Sequence, residues 1–180
     1  WGGFYSIISL GIALWLYLKY PIVLWIYLGA LAALIIDGIS VFQRDQKSIF
    51  NEIITFAAVC LSAPFAYAVT TGKIDLIAIS LWLINTLYFC STIFTVKLRK
   101  PKTSSVVPGV VYHAIASLII AALYWLNWLS LVTALAFGVA LLKFGLIIWQ
   151  QDWYCHAKIQ LIAILETSSA LIFLTIAALS

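Results

Sequence analysis

Residues 106–149 read VVPGVVYHAIASLIIAALYWLNWLSLVTALAFGVALLKFGLIIW, a stretch whose one charged side chain is Lys143. It is twice too long for one membrane crossing, since about 20 apolar residues span the hydrocarbon. Its only interruption is LNWLS at 126–130, where Asn127 supplies a turn residue. The stretch therefore predicts two membrane helices, 106–125 and 129–149, joined by a tight hairpin. No part of it alternates as a barrel strand would, and backbone in lipid must otherwise be satisfied inside helices.

The same reading extends outward. Apolar runs at roughly 2–18, 22–36, 53–71, 76–96 and 159–179 bring the spans to seven. The second run is short, so it is expected to continue past Asp37 and Gly38 toward Phe42. Pro21, Gly72, Pro101 and Pro108 punctuate the intervals, as helix breakers do. No internal repeat and no pair of broken helices is legible. The expected fold is an all-α polytopic transmembrane bundle of about seven spans, a single integral domain over residues 1–180. The chain begins at Trp1 and has no Met, so residues are expected to precede Trp1.

Composition agrees. The chain is 65% hydrophobic and 9% charged, where a soluble domain is about a quarter charged. The net charge of +4 suggests nucleic acid less than it does membrane topology. Seven of the ten Lys and Arg (Arg44, Lys47, Lys97, Arg99, Lys100, Lys102 and Lys158) fall on three alternate connections, against Lys19 and Lys73 on the others. Short basic connections stay in the cytoplasm, which predicts a cytoplasmic N-terminus. Trp15, Tyr17, Tyr20, Trp25 and Tyr27 flank the first outer turn. Tyr124, Trp125 and Trp128 flank the hairpin, and Trp149, Trp153 and Tyr154 lie at the inner boundary. These positions predict interfacial aromatic belts. Ala134, Gly138 and Gly145 predict close helix packing.

Counting 1.5 Å per residue from the inner helix ends brings His113, Lys143, Glu166, Ser91 and Thr92 to one depth, about 10 Å into the membrane. Ionisable groups at that depth are costly and face the bundle interior. Read plainly, Lys143 and Glu166 form a structural pair with His113 hydrogen-bonded nearby, or Lys143 snorkels to the interface. The sharper reading is a polar cavity that opens inward on a headgroup, a proton or a small ligand. On the cytoplasmic side, Asp37, Asp45, Lys97, Arg99, Lys100 and Lys102 are candidate contacts for a diphosphate or lipid headgroup. A solvated loop with a cap before the third span is the plainer account of the acidic ones. Cys60, Cys90 and Cys155 make no disulfide framework, and Asp152, Cys155 and His156 make no metal spacing. No catalytic signature is present, and neither catalytic nor metal-ligating residues are assigned.

The stretches LYFCSTIFTVKLRK (87–100), VVYHA (110–114) and IAILETSSALIF (162–173) resemble the YwiC-like family of bacterial membrane proteins. VKLRKPKTSSVVPG (96–109) resembles the cytoplasmic loop of UbiA-type prenyltransferases. That second resemblance implies isoprenoid diphosphates held by magnesium on two Asp-rich loops. The corresponding loops depart from it: Asp37 and Asp45 stand apart beside Arg44, and Asp152 stands alone.

The leading expectation is a non-catalytic interaction, assembly or accessory factor of a larger respiratory or photosynthetic membrane complex. Its partners would be the lipid bilayer and other membrane subunits, with no nucleic acid. The alternatives are a UbiA-like enzyme and a small transporter. No resident cofactor is expected; magnesium on a diphosphate or a pigment on His113 accompanies the alternatives. The expected location is a bacterial plasma membrane or a thylakoid-type internal membrane.

Overall fold

Why these residues form helices follows from the apolar runs, whose backbone groups have no water to bond in hydrocarbon. The structure, a computed structural model, describes residues 2–44, 47–100 and 105–179. Asp45 and Lys102 lie outside the described residues. Among those described, ten α-helices occur and no strand. They are α1 (Gly2–Lys19), α2 (Leu24–Phe42), α3 (Ile49–Val59), α4 (Ser62–Thr71) and α5 (Leu76–Lys97). After them come α6 (Val107–Trp125), α7 (Leu131–Ala136), α8 (Gly138–Trp149), α9 (Gln151–His156) and α10 (Ile159–Ala178).

Seven stretches are long and apolar enough to cross a membrane, with mean hydropathy from 1.3 to 2.3. The protein is an integral membrane protein. Its second span runs to Phe42, as expected, but its third starts at Ile49 rather than 53. There the Ser48 hydroxyl accepts from the Asn51 N–H at 3.3 Å, so a cap extends the helix inward.

Two spans are interrupted, against the expectation of unbroken helices. The third divides at Cys60 and Leu61 into α3 and α4. Pro64 causes this: it has no N–H to offer Cys60, and its ring crowds that carbonyl. The Ala63 N–H bonds the Cys60 carbonyl instead, at 3.1 Å in a tighter turn. The sixth divides at Phe137, beside Gly138, where the Phe137 N–H reaches back only three residues to Ala134.

The hairpin forms as its sequence predicts. Asn127 takes a left-handed φ of 57°. The Trp128 N–H bonds the Leu123 carbonyl and the Asn127 N–H bonds that of Tyr124, both at 2.9 Å. This is a Schellman cap with Asn in the place usually taken by Gly. Ser130 then caps α7, accepting from the Thr133 N–H at 3.0 Å.

The chain packs as two compact units, Trp1–Trp82 and Leu83–Ser180. In the first, α2 packs on α3. The Trp82 indole donates to the Ala57 carbonyl at 2.8 Å. The Tyr27 hydroxyl donates to the Ala13 carbonyl, while α1 itself buries no residue. Asp75 accepts from the N–H groups of Ile77 and Ala78 and so starts α5.

In the second unit α10 packs on both α7 and α8. Tyr88 stacks on Phe173, 3.9 Å between ring centres, inside a core that includes Ile84, Ala116, Ile120 and Ala140. A smaller apolar cluster of Leu98, Ile147, Tyr154 and Ile162 closes the inner end of the unit.

Of the aromatic residues read as belts, Trp15, Trp25, Trp125 and Trp149 are exposed. Tyr154 is a correction: it is fully buried, drawn inward because α9 folds back onto the end of α5. Gly138 and Gly145 are another. A Cβ added at either would meet nothing within 4 Å, so neither marks a close helix approach. That role falls to Gly109, where a Cβ would stand 2.7 Å from the Phe144 ring.

Candidate functional site

Between the two apolar clusters of the second unit lies one polar layer. Lys143 on α8 reaches Glu166 on α10, with Nζ 2.7 Å from Oε2. The lysine side chain is 2% exposed and the glutamate 17%, so the pair is buried and Lys143 does not snorkel. From α5, the Thr92 hydroxyl donates to the same Oε2 at 3.0 Å and accepts from Lys143 Nζ at 3.3 Å. One hydroxyl thus bridges both charges, as its single proton and two lone pairs allow. The Thr95 hydroxyl lies 3.2 Å from Oε1 and 3.0 Å from the Thr92 carbonyl, sharing its proton between them. Lys143 Nζ also stands 5.3 Å over the face of Tyr88, a cation–π contact.

Each of these helices carries the layer one turn from an apolar seal. Thr95 precedes Leu98, Lys143 precedes Ile147, and Glu166 follows Ile162 at helical spacing. Arg99 fastens the seal, its Nη2 donating to the Ala157 carbonyl at 2.6 Å while the guanidinium lies 5.9 Å over Tyr154. Burial first, and the charge of Glu166 second, push the Tyr154 hydroxyl up to about 12.

His113 is on α6, turned toward its own helix. Its Nδ1 is 2.7 Å from the Gly109 carbonyl. A carbonyl only accepts, so Nδ1 carries the proton and Nε2 the lone pair. Nε2 is buried without a partner among the described residues. The ring stacks on Phe144, 4.0 Å between centres, and that approach exists because residue 109 is glycine.

The structure therefore brings together Lys143, Glu166 and Thr92, and sets His113 beside them through Phe144. Ser91 is not part of the group: its hydroxyl donates to the Tyr88 carbonyl at 2.6 Å. Thr95 and Tyr88 were missed by counting depth. They stand three residues after and four before Thr92, the helical spacing that would have found them.

Beside the α2–α3 connection of the first unit, Asp37 accepts from the Asn51 amide at 2.9 Å. With Glu52, Thr55, Val41 and Phe56 they line a pocket of about 380 Å³. Of the basic candidates, Arg99 is engaged as above, Lys97 is half-buried and Lys100 exposed at the end of α5. Among the described residues no three His, Cys, Asp or Glu side chains converge as a metal site.

Residues 1–67 match the family model described as YwiC-like protein, whose description names no activity. No curated protein and no solved structure matches the chain. The matched segment contains α1 to α3, part of α4, and the Asp37–Glu52 pocket. The stretches at 87–100, 110–114 and 162–173, which resemble the same family, lie beyond it.

Proposed function

We propose that this chain is a non-catalytic integral membrane protein of a bacterial plasma or thylakoid-type membrane. It acts by association, as an assembly or accessory factor of a larger respiratory or photosynthetic complex. The observation that supports this is the polar layer. Lys143 and Glu166 neutralise each other, Thr92 and Thr95 complete their hydrogen bonds, and an apolar cluster lies on either side. Intramembrane charges commonly serve ions or protons when they line wet paths. Here they are occupied with one another, which favours a structural part over a transporter's site.

Purification of the tagged, full-length protein in mild detergent tests this. A membrane subunit recovered in fixed stoichiometry, retained through a second sizing step, is the expected result. A lone chain carrying an isoprenoid diphosphate overturns it.

The UbiA-like alternative draws on one feature, the 380 Å³ pocket with Asp37 and Glu52 on its wall. Magnesium on a diphosphate asks for one or two carboxylates. In that reading Asp37→Ala abolishes prenyl transfer, whereas association with partner subunits survives the change.

A further inference from the structure

Two cavities of the first unit follow one another along the same pair of helices. The polar pocket is lined from α2 by Asp37 and Val41. Just beyond it, α2 contributes Gly29, Ala32, Ala33 and Ile36 to a second cavity of about 310 Å³. On α3 the order is the same: Asn51, Glu52 and Thr55 face the pocket, and Ile54, Ala57 and Ala58 face the slot. Small residues open this slot, and Trp82, fixed by its bond to the Ala57 carbonyl, stands on its wall. Every side chain lining it is apolar. Asp37 stands four residues after Ala33 on α2 and Thr55 three before Ala58 on α3, so slot and pocket follow one another along one face of the helix pair as an amphipathic groove. Each part has the volume of a small ligand site, about 300–1,000 Å³.

We propose that this groove binds a membrane lipid whose headgroup carries a primary ammonium next to its phosphate, with one chain lying in the slot. The pocket chemistry selects the head. Its polar lining is Asp37, Asn51, Glu52 and Thr55: the Asn51 amide donates to Asp37, and the Thr55 hydroxyl already donates its proton to the Asn51 carbonyl at 2.9 Å and so faces a ligand as an acceptor beside the two carboxylates. Among the described residues no Lys or Arg lines it, so the pocket itself offers a bare phosphate no counter-charge. A primary ammonium brings three donors to such acceptors, whereas a quaternary one brings none. Arg44 and Lys47 stand on the connection that joins α2 to α3, three residues after Val41 and four before Asn51, and are the cations this proposal assigns to the adjoining phosphate. In lipid the slot gains little from apolar burial, because the alternative is already apolar. Selectivity therefore lies in the head, and the slot sets how long a chain stays.

The test uses the full-length protein in detergent micelles. Equimolar phosphatidylethanolamine and phosphatidylglycerol are added, and retained lipid is counted by native mass spectrometry. The ethanolamine lipid is expected to be preferred about tenfold, the scale of one charged hydrogen bond. Asp37→Asn keeps the contact with Asn51 and should remove that preference. Ala58→Leu fills the slot and should lower retention of both lipids. Should Asp37→Asn fail to fold, Glu52→Gln makes the same test. Equal retention of the two lipids by the native chain overturns the proposal, as does a preference for phosphatidylglycerol. Displacement of the lipid by an isoprenoid diphosphate only when magnesium is present overturns it in favour of the enzyme reading.

Discussion

Replacing Glu166 by Gln keeps the shape of the side chain but leaves one acceptor oxygen in place of two, with an amide N–H toward the Thr95 hydroxyl, and removes the charge opposite Lys143. The lysine is then a cation with a 2% exposed side chain whose partners are all neutral: the Gln amide oxygen, a hydroxyl and an aromatic face. Breaking a buried pair by removing one partner costs about 3–5 kcal/mol. The cost of a charge at the centre of a membrane helix on insertion scales, about 2.5–3.5 kcal/mol, is of the same size. Lys143→Met leaves Glu166 uncompensated instead, softened by its two hydroxyl donors, and should fall at the lower end. The double variant has no buried charge, and its Gln amide still meets Thr92 and Thr95. It should lie within about 1.5 kcal/mol of the native protein, since uncharged replacements of buried pairs are often neutral.

The assay is thermal unfolding of the four proteins in one detergent, followed by intrinsic fluorescence. At about 2–4 °C per kcal/mol for a chain of this size, each single change should lower the midpoint by roughly 6–20 °C. The double change should recover most of that loss. If Glu166→Gln melts within 2 °C of the native protein, the pair is not buried as described. If the double variant is as unstable as the two singles added together, the layer is not a coupled unit, and the support it gives to the association reading disappears.

Gly109→Ala places a methyl group 2.7 Å from Phe144, whose ring is held against His113. A loss of about 1–3 kcal/mol is expected on melting, and adding Phe144→Leu should return part of it. Asn127→Ala keeps the β-carbon in a left-handed turn with φ of 57° but loses the side-chain amide that lets Asn tolerate it, and should cost about 1 kcal/mol, whereas Asn127→Gly should be near neutral. Tyr154 gives a signature in alkali. Its hydroxyl is raised from 10.0 to about 12 in the folded protein, so the unfolded chain ionises first. The resulting stability is complete below pH 10 and is lost as the pH rises toward 12. The difference between native protein and Tyr154→Phe, measured at a series of pH values, should narrow by about 1–3 kcal/mol across that window.

What could be read in the sequence was set by counting, and what could not was set by rotation. Spans were legible because hydrocarbon thickness fixes how many apolar residues a helix needs. Depth was legible for the same reason: with the helix ends known, 1.5 Å per residue brings Thr92, Lys143 and Glu166 level. Direction around the helix is a different matter. Ser91 and Thr92 share a depth, yet consecutive residues lie 100° apart, so only Thr92 faces Glu166 while Ser91 turns back to its own helix. His113 shows the same limit, level with the pair but bonded to Gly109. Tyr154 was read as a belt residue because nothing near it in sequence announces that α9 docks on the end of α5. Pro64 did announce a break, and its meaning was passed over inside so apolar a run.

The layer also explains how helices this uniform find one another in a single register. Apolar faces rich in Leu, Ile and Ala pack tolerably in several alignments, and lipid offers no hydrophobic penalty to choose among them. A slide of α10 by one turn would put Ile162 or Ala170 opposite Lys143. It would also lift Glu166 away from Thr92 and Thr95. Both charges would then be unpaired among apolar neighbours, at about 3–5 kcal/mol for the first partner lost. No exchange of Leu for Ile contacts along the same helices makes a difference of that size. One polar layer, sealed on both sides, therefore fixes the depth of α5, α8 and α10 together. With that register fixed, the lipid-facing surfaces of the second unit hold a constant arrangement, which is what the proposed association requires.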